Sequence, residues 1–451
     1  MKIIIVGCGK VGSAIVSSLC GEENDITVID VEQDKVKDLT SRYDVMGVVG
    51  NGATHGVQSQ AGIESADLLI AVTGSDELNL LCCLIAKKTG GCKTIARIKN
   101  PDYSADAPYL KDELGLSLVI NPDLSAAKEI ARILRFPSAI KIETFAKGRV
   151  ELLKFRLPDE SPLVGMAVKD AVVKLKSDVL ICTVERDGEA FIVKGDFVFG
   201  GGDVISIVAS PKGATDFFKK IKYNLTPIKD AIIVGSTEIS QYLCSILEKS
   251  GIKLKIIEKD EETCERVSAM LPFVTVINAD ATDKEMLLEE GISTCGAFIS
   301  LGGKDEENVF LSLFAKLSGK AKLITKVDYI DYDEVIRELD LDTIISPKNL
   351  TAESIVRLVR ATVGDKSSEF EALYSVIKGK VVAMEFTVNE GSPVVGKPLC
   401  DLKIKKEVLV ASIIREGEVI IPRGHDVICS GDSVVIVSGD VAINDIAGIL
   451  R

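Results

Sequence analysis

Apolar positions along the chain alternate between short β-rich runs and longer segments whose apolar residues recur at helical spacing. The runs Lys2–Val6, Ile26–Asp30, Val45–Val49, Leu68–Val72, Thr94–Ile98 and Leu118–Ile120 predict strands of a parallel sheet, buried on both faces by the intervening helices. Next come shorter alternating runs punctuated by Gly and Asp, with one brief helical piece near Met166–Lys174, which predict a small α+β module. The segment NPDLSAAKEIARILRF between them has a capping residue and an apolar stripe, and predicts a bridging helix.

The whole pattern then repeats. IIIVGCGKVGSAIVSSL from residue 3 recurs as AIIVGSTEISQYLCSIL from residue 231, ITVID as LKIIE, VVGNGAT as VINADAT, DELNLLCCLIAK as DEENVFLSLFAK, and TIARI as LITKV. The small module repeats too: SPLVGMAVKD from Ser161 matches SPVVGKPLCD from Ser392, and the strand-rich stretches ending near Val208 and Val437 correspond. The expected organisation is a Rossmann-like domain over 1–121, a bridging helix over 122–137 and a small α+β domain over 138–222. A linker over 223–229 containing Pro227 leads to a second Rossmann-like domain over 230–346, a bridging helix over 347–366 and a second small α+β domain over 367–451. The fold class is therefore α/β, two doubly wound parallel sheets each followed by a small α+β domain.

Composition narrows the partners. At 451 residues, with 46% hydrophobic and 27% charged residues, the chain is several ordinary globular domains. A formal net charge of −13 and the lack of a Lys/Arg run argue against nucleic acid and against adsorption to an anionic membrane. No apolar stretch approaches the ~20 residues of a spanning helix, and Gly7–Lys10 interrupts the opening apolar run, which argues against a signal peptide. Any link to a membrane is expected to go through a partner protein. The eleven cysteines are scattered, form no Cys-x-x-Cys and sit mostly in apolar segments, so they read as reduced core thiols. With only His55 and His425 present, no zinc ligand set is evident.

Candidate chemistry concentrates at Gly7-Cys8-Gly9-Lys10-Val11-Gly12, a G-x-G-x-x-G that follows a strand and opens a helix. Gly7 permits the tight turn, Gly9 lets a pyrophosphate approach the backbone, and Gly12 permits close helix-to-strand packing. The helix N-terminus favours the anion. Asp30, at the next strand end and followed by Val31, can accept ribose hydroxyls and repels a 2′-phosphate, which favours NAD(H) or ATP/ADP over NADP(H). In the second copy Gly7 is kept as Gly235, but Gly9 becomes Thr237 and Gly12 becomes Ser240, while Glu258 keeps an acid at the ribose position and Asp280 adds another. That copy either binds a nucleotide less tightly or is retained for its surfaces.

Other polar residues have a ligand reading and a structural one. Asn51 and Thr54 either contact an adenine edge or form an Asx-type turn. Thr73, Gly74 and Ser75 lie at the carboxyl end of the fourth strand, where open α/β sheets bind ligands. Arg97, on a strand that should be buried, needs a phosphate or a carboxylate as counter-charge. His55 and His425 read as surface residues. No substrate domain and no Tyr-x-x-x-Lys or His-centred constellation accompanies the Rossmann unit, which argues against a hydride-transfer enzyme.

The GCGKVG loop, the strand ending in Asp30, the NGAT segment and the paired small modules together resemble the regulator-of-potassium-conductance (RCK) family in its tandem form. The resemblance implies a cytoplasmic, non-enzymatic homo-oligomer, a dimer or a tetrameric ring. It would lie on the inner face of the cell membrane through a Trk-type membrane potassium channel subunit, gating that subunit according to bound NAD(H) or ATP/ADP. It also implies nucleotide contacts at Gly7, Gly9, Gly12, Asp30, Asn51, Thr73 and Arg97; Cys8, Lys10, Val11, Val31, Gly52, Thr54 and Gly74, beside them in the same loops, and Glu258 in the second copy complete the candidate set. The chain departs from the family pattern at Gly52, where many relatives carry Asp, and in the lost second glycine motif. An NAD-dependent oxidoreductase, a regulator of another cation transporter and a purely dimerising scaffold are the alternatives.

Overall fold

The computed structural model describes the chain apart from residues 21–23, 137–138, 187–188, 224–227, 329–338, 340, 363–367, 378–379, 440–442 and 444. The expected linker around Pro227 and the end of the second bridging helix fall partly outside the described residues.

The first copy runs β1 (Lys2–Val6), α1 (Lys10–Leu19), β2 (Asp25–Asp30), α2 (Gln33–Arg42), β3 (Met46–Val49), α3 (His55–Gln60), β4 (Leu68–Ala71), α4 (Asp76–Thr89), β5 (Lys93–Arg97), α5 (Pro101–Ala105), α6 (Ala107–Leu114), β6 (Leu118–Ile120) and α7 (Pro122–Arg135). Its small module contains β7 (Ala139–Phe145), β8 (Val150–Arg156), α8 (Val168–Leu175), β9 (Val179–Arg186), β10 (Glu189–Ile192), β11 (Val204–Ala209) and α9 (Pro211–Lys220). The second copy follows with β12 (Asp230–Val234), α10 (Glu238–Leu247), β13 (Lys253–Glu258), α11 (Glu261–Met270), β14 (Thr275–Asn278), α12 (Lys284–Glu289), β15 (Ala297–Ser300), α13 (Asp305–Ser318), β16 (Lys322–Lys326), β17 (Thr343–Ile345) and α14 (Pro347–Thr362). The last module holds β18 (Ser368–Ile377), β19 (Val381–Val388), β20 (Val408–Arg415), β21 (Glu418–Ile420) and β22 (Ser433–Ser438).

Both Rossmann sheets are parallel and have the same strand order, β3-β2-β1-β4-β5-β6 and β14-β13-β12-β15-β16-β17. In each, the strand order reverses beside the first strand, so a crevice opens at the carboxyl ends of β1 and β4, or of β12 and β15. The strands form because their residues are β-branched or aliphatic and lie between two helical layers; β4, Leu-Leu-Ile-Ala, is buried at every position. Helix α4 is bounded by local chemistry. Ser75 accepts from Leu78 N–H at its start, Asp76 and Glu77 fill the first turn, Lys87 and Lys88 the last, and Gly90 ends it. Strands β4 and β5 stop one residue short of the apolar runs, although Val72 and Ile98 still donate to Val6 and Ile120.

The four domains sort by kind. Met1–Arg135 and Ile228–Val356, the two Rossmann copies, form one compact unit, and Phe136–Pro227 with Arg357–Arg451 form the other. In the Rossmann unit α7 leaves its own copy and lies on α10. Ala126, Ala127, Ile130, Ile133 and Leu134 enter one apolar core with Ile239, Leu243, Cys244 and Leu247 of α10 and with Ala231 and Ile233 of β12. At the start of α7, Asn121 donates to the Tyr242 hydroxyl at 3.1 Å.

The second unit is two antiparallel sheets, β10-β9-β11-β8-β7 and β18-β19-β22-β20-β21. They share a core in which Phe145, Leu152, Cys182 and Val208 meet Ala383, Ala411, Val435 and Val437. The buried Glu385 carboxylate accepts the Ala146 N–H at 3.1 Å and the Ser433 hydroxyl at 2.6 Å, which satisfies a charge that would otherwise be costly there. Each module is pinned by an Arg fork on a buried Asp, Arg186 on Asp203 and Arg415 on Asp432.

The α7 core makes a direct prediction. Ile130 is fully buried among second-copy side chains, so Ile130→Ala should lower unfolding stability by about 3 kcal/mol in urea titration, the cost of a buried cavity; a change below about 1 kcal/mol would mean the helix is not holding the copies together.

Candidate functional site: a cleft shared by the two Rossmann copies

The turn after β1 is shaped by its glycines. Gly7 has φ +105°, and a Cβ there would lie 3.0 Å from the Thr73 nitrogen and from the Val72 carbonyl. A Cβ on Gly12 would sit 1.9 Å from the Gly7 oxygen, so the close approach of α1 to the turn requires glycine. Gly9 differs: a Cβ there would meet nothing within 4 Å, because the space in front of it is open. Gly9 is the N-cap of α1, and no side chain caps the helix. The positive end of the helix therefore faces open space, the arrangement that receives an anion.

Asp30 is held in place beside this turn. Its Oδ2 accepts the Cys8 N–H at 2.7 Å and its Oδ1 the Glu32 N–H at 2.9 Å, which fixes the carboxylate and leaves further lone pairs toward the cleft. Cys8 itself is buried, and burial together with the Asp30 charge pushes its thiol up to about 12, so it stays protonated and inert. The NGAT segment adopts the Asx-type turn: Asn51 Oδ1 accepts the Ala53 N–H at 2.9 Å, and the Thr54 hydroxyl donates to the Asn51 carbonyl at 2.8 Å. A Cβ on Gly52 would lie 2.3 Å from a Val6 methyl, so an Asp here would have to displace the Val6 side chain. Beneath the segment, the buried Gln58 amide donates to the Gly52 and Cys82 carbonyls.

The carboxyl ends of β4 and β5 are tied by two residues of α4. Asn79 accepts the Thr73 N–H at 2.8 Å and donates to the Arg97 carbonyl at 2.9 Å, while Asp76 accepts the Lys99 and Asn100 N–H groups at 2.8 and 2.7 Å. In the second copy Asn308 joins Gly302 to Lys326 and Asp305 accepts the Asp328 N–H in the same way. Arg97 reaches the cleft with its Nε buried and without a hydrogen-bond partner among the described residues. Burial pushes its guanidinium down, and Asp76 and Asp123 counter it. A buried guanidinium nitrogen of this kind is the type of donor that an anion in the cleft would satisfy.

These groups surround one cleft of about 690 Å³, within the usual range for a small-molecule site. Of the residues expected from sequence, Gly7, Gly9, Lys10, Val11, Asp30, Val31, Asn51, Gly52, Thr73, Gly74 and Arg97 line it. Cys8, Gly12 and Thr54 support it from behind and do not line it. Glu258 lies in the other copy, where its carboxylate accepts the Ser236, Lys259 and Asp260 N–H groups. His55 and His425 are exposed and outside the cleft.

Sequence reasoning missed the far wall. Lys99 and Asp123, an ion pair at 3.3 Å, contribute from the first copy. Thr237, Glu238, Ile239, Gly303, Lys326, Asp328, Pro347 and Lys348 contribute from the second. Asp76 and Asn79 were legible in principle, since D-E-x-N is kept in both copies. Lys10 is pushed below the ordinary lysine range, chiefly by burial, and the acids that oppose this, Asp328 and Asp305, are both in the second copy. The second copy's own turn is capped by its own side chains, where the Gly9 turn is not. Thr237 and Ser240 form a capping box on α10, and the Ser240 hydroxyl donates to the Gly235 carbonyl at 2.5 Å.

The TrkA-N domain model matches residues 3–122 and 231–347, and the TrkA-C domain model matches residues 152–222 and 383–451. The chain belongs to the TrkA family. Among TrkA relatives, the Trk system potassium uptake protein TrkA homolog 1 of Methanosarcina mazei is 33% identical over 454 residues, covering 99% of each chain. The homolog of Archaeoglobus fulgidus is 33% identical over 454 residues and covers 100% of both. Among solved structures, a GsuK channel bound to NAD superposes with a TM-score of 0.64 at 15% identity, over 97% of this chain and 77% of that one, a likeness of fold. The alternation of TrkA-N and TrkA-C domains is therefore the order of the repeat, a Rossmann-like domain and then a small domain, twice over.

The glycine geometry separates two roles by experiment. Gly12→Ala drives a methyl into the Gly7 carbonyl and should cost at least about 2 kcal/mol, whereas Gly9→Ala enters open space and should leave thermal unfolding unchanged. Equal effects of the two substitutions would contradict the division.

Proposed function

We propose that this chain is a nucleotide-sensing regulatory subunit of a Trk-type potassium uptake system. The observation that carries the reading is the uncapped, open Gly9 turn beside a fixed Asp30, facing a cleft whose opposite wall belongs to the second Rossmann copy. The first turn of α1 at Gly9 holds a pyrophosphate, Asp30 the adenosine ribose, and Asn51 and Gly52 border the adenine. Thr73, Gly74 and Arg97 receive the distal part of the ligand. The ligand class is NAD(H) or ATP/ADP; the NAD named for the GsuK channel supports the first.

A dehydrogenase of this fold needs a substrate domain to complete its cleft. Here the cleft is completed by another Rossmann copy, which favours sensing over hydride transfer. Occupancy changes the relation of the copies only by the ligand's differential affinity for two arrangements, typically ~1–3 kcal/mol. That difference is passed to a membrane potassium channel subunit, with the protein acting as a homo-oligomer, dimeric or ring-shaped, on the inner face of the membrane. Among the described residues no helix is long and apolar enough to cross a membrane, so attachment is assigned to the partner.

Calorimetric titration of the full chain with NAD, NADH, ADP and ATP tests the reading. Saturable binding at one site per chain is expected, lost in Gly9→Val and Asp30→Ala and retained in Glu258→Ala. No binding of any of the four would remove the sensor and leave the dimerising scaffold. Binding that survives Gly9→Val but not Glu258→Ala would move the site to the second copy.

A further inference from the structure

The second Rossmann copy carries an outward apolar stripe that the cleft does not use. On α13, Phe310, Leu313, Phe314 and Leu317 recur at helical spacing, on the side opposite the buried Val309, Ser312 and Ala315. Phe310 is 71% exposed and Leu317 88%. Apolar residues scattered singly over a surface need no explanation, but a contiguous row on one helix marks a contact. Beside the row, between α12 and α13, lies a cavity of about 340 Å³ whose lining includes Leu287, Leu311, Phe310 and Phe314. The stripe therefore has a hollow at Phe310 and, two helical turns on, a projecting Leu317.

A surface with a hollow at one end and a projection at the other is complementary to itself when turned about a twofold axis. With the axis between Leu313 and Phe314, two antiparallel α13 helices set Phe310 of each opposite Leu317 of the other, and Leu313 opposite Phe314. Each Leu317 then enters the cavity of the other chain. The flanking charges agree with this register. Glu306 and Glu307 lie in the first turn of the helix, Lys316 in its last turn and Lys320 just beyond it. The antiparallel arrangement places Glu307 opposite Lys320 at both ends, whereas a parallel one places like charges together. Glu307 also holds Lys304 at 2.7 Å, an exposed pair that is cheap to share.

The first copy supplies the comparison that selects the occupant. Its α4 has Leu81, Leu84 and Ile85 at the matching positions, but Lys88 stands where α13 has Leu317. In the same register, α4 against α4 sets Leu81 opposite Lys88 twice, and α13 against α4 sets Phe310 opposite Lys88. Of the three pairings, α13 against α13 alone matches apolar with apolar along the whole stripe. We propose that two chains associate through α13 of their second Rossmann copies, antiparallel about a twofold axis, with Leu317 of each seated beside Phe310 and Phe314 of the other. This names a contact of the homo-oligomer in the proposed function. It involves neither the cleft nor a nucleotide, so pairing and nucleotide binding stand or fall separately.

Light scattering on the full chain, free of nucleotide and at low ionic strength, tests the contact. The parent should have the mass of two chains or more. Leu317→Glu should halve that mass and weaken association by at least about tenfold, the effect of losing a central apolar contact. Because Leu317 is exposed, the circular dichroism of the variant should remain that of the parent. Adding Phe310→Lys to Leu317→Glu sets opposite charges across the twofold and should restore the mass, a recovery that salt removes. Leu81→Glu, the matching change in the first copy, should leave the mass unaltered. A monomeric parent, a Leu317→Glu chain of undiminished mass, or a double variant that stays dissociated at low salt overturns the proposal. A mass halved by Leu81→Glu also overturns it, and moves the contact to α4.

Discussion

The packing of α7 on α10 is the contact on which the site depends. A helix that begins at the edge of the first copy's cleft carries its apolar stripe into the core of the second copy, and so brings the two sheets' carboxyl ends to one space. Each of its large apolar side chains contributes about 1.5–3 kcal/mol on burial, and that burial exists only when both copies are present. The cleft is consequently a property of the pair. A ligand on the Gly9 turn would share its cleft with second-copy side chains because α7 has brought them there.

Duplication lets the two copies do different work on one backbone. The first kept a turn with no side chain at Gly9 and no cap on α1, which leaves the helix end to a ligand. The second closed the equivalent helix end with its own Thr237 and Ser240, and occupied its acid with three backbone N–H groups. A self-satisfied turn is a stable wall, and an unsatisfied one is a receptor. The Asp76/Asn79 and Asp305/Asn308 pairs, present in both copies, show what both roles share, a tied junction between the central strands.

Much of this was legible in the sequence, for physical reasons that can be named. Parallel strands buried on both faces have a strong apolar signature, and the repeat removed most of the ambiguity about their order. Gly7, Gly12 and Asp30 were readable because each does a local job, set by backbone conformation or by a contact to the adjacent strand. Thr54 carried both a ligand reading and a turn reading, and it bonds the Asn51 carbonyl, a local turn that competes with ligand contact from the same residue types. Lys10 sits inside the glycine motif, yet the acids that favour its charge, Asp328 and Asp305, belong to the other copy. The far wall, from Glu238 to Lys348, was not legible at all, since nothing in either repeat says which surface of one copy faces the other.

A crystal structure of the full chain grown with NAD would decide the matter most directly. The expected result is one dinucleotide per chain, its pyrophosphate on the first turn of α1 at Gly9, its ribose on Asp30, and second-copy side chains along its far edge. A dinucleotide on the Thr237–Ser240 turn, or one that touches no second-copy residue, would contradict a single shared cleft.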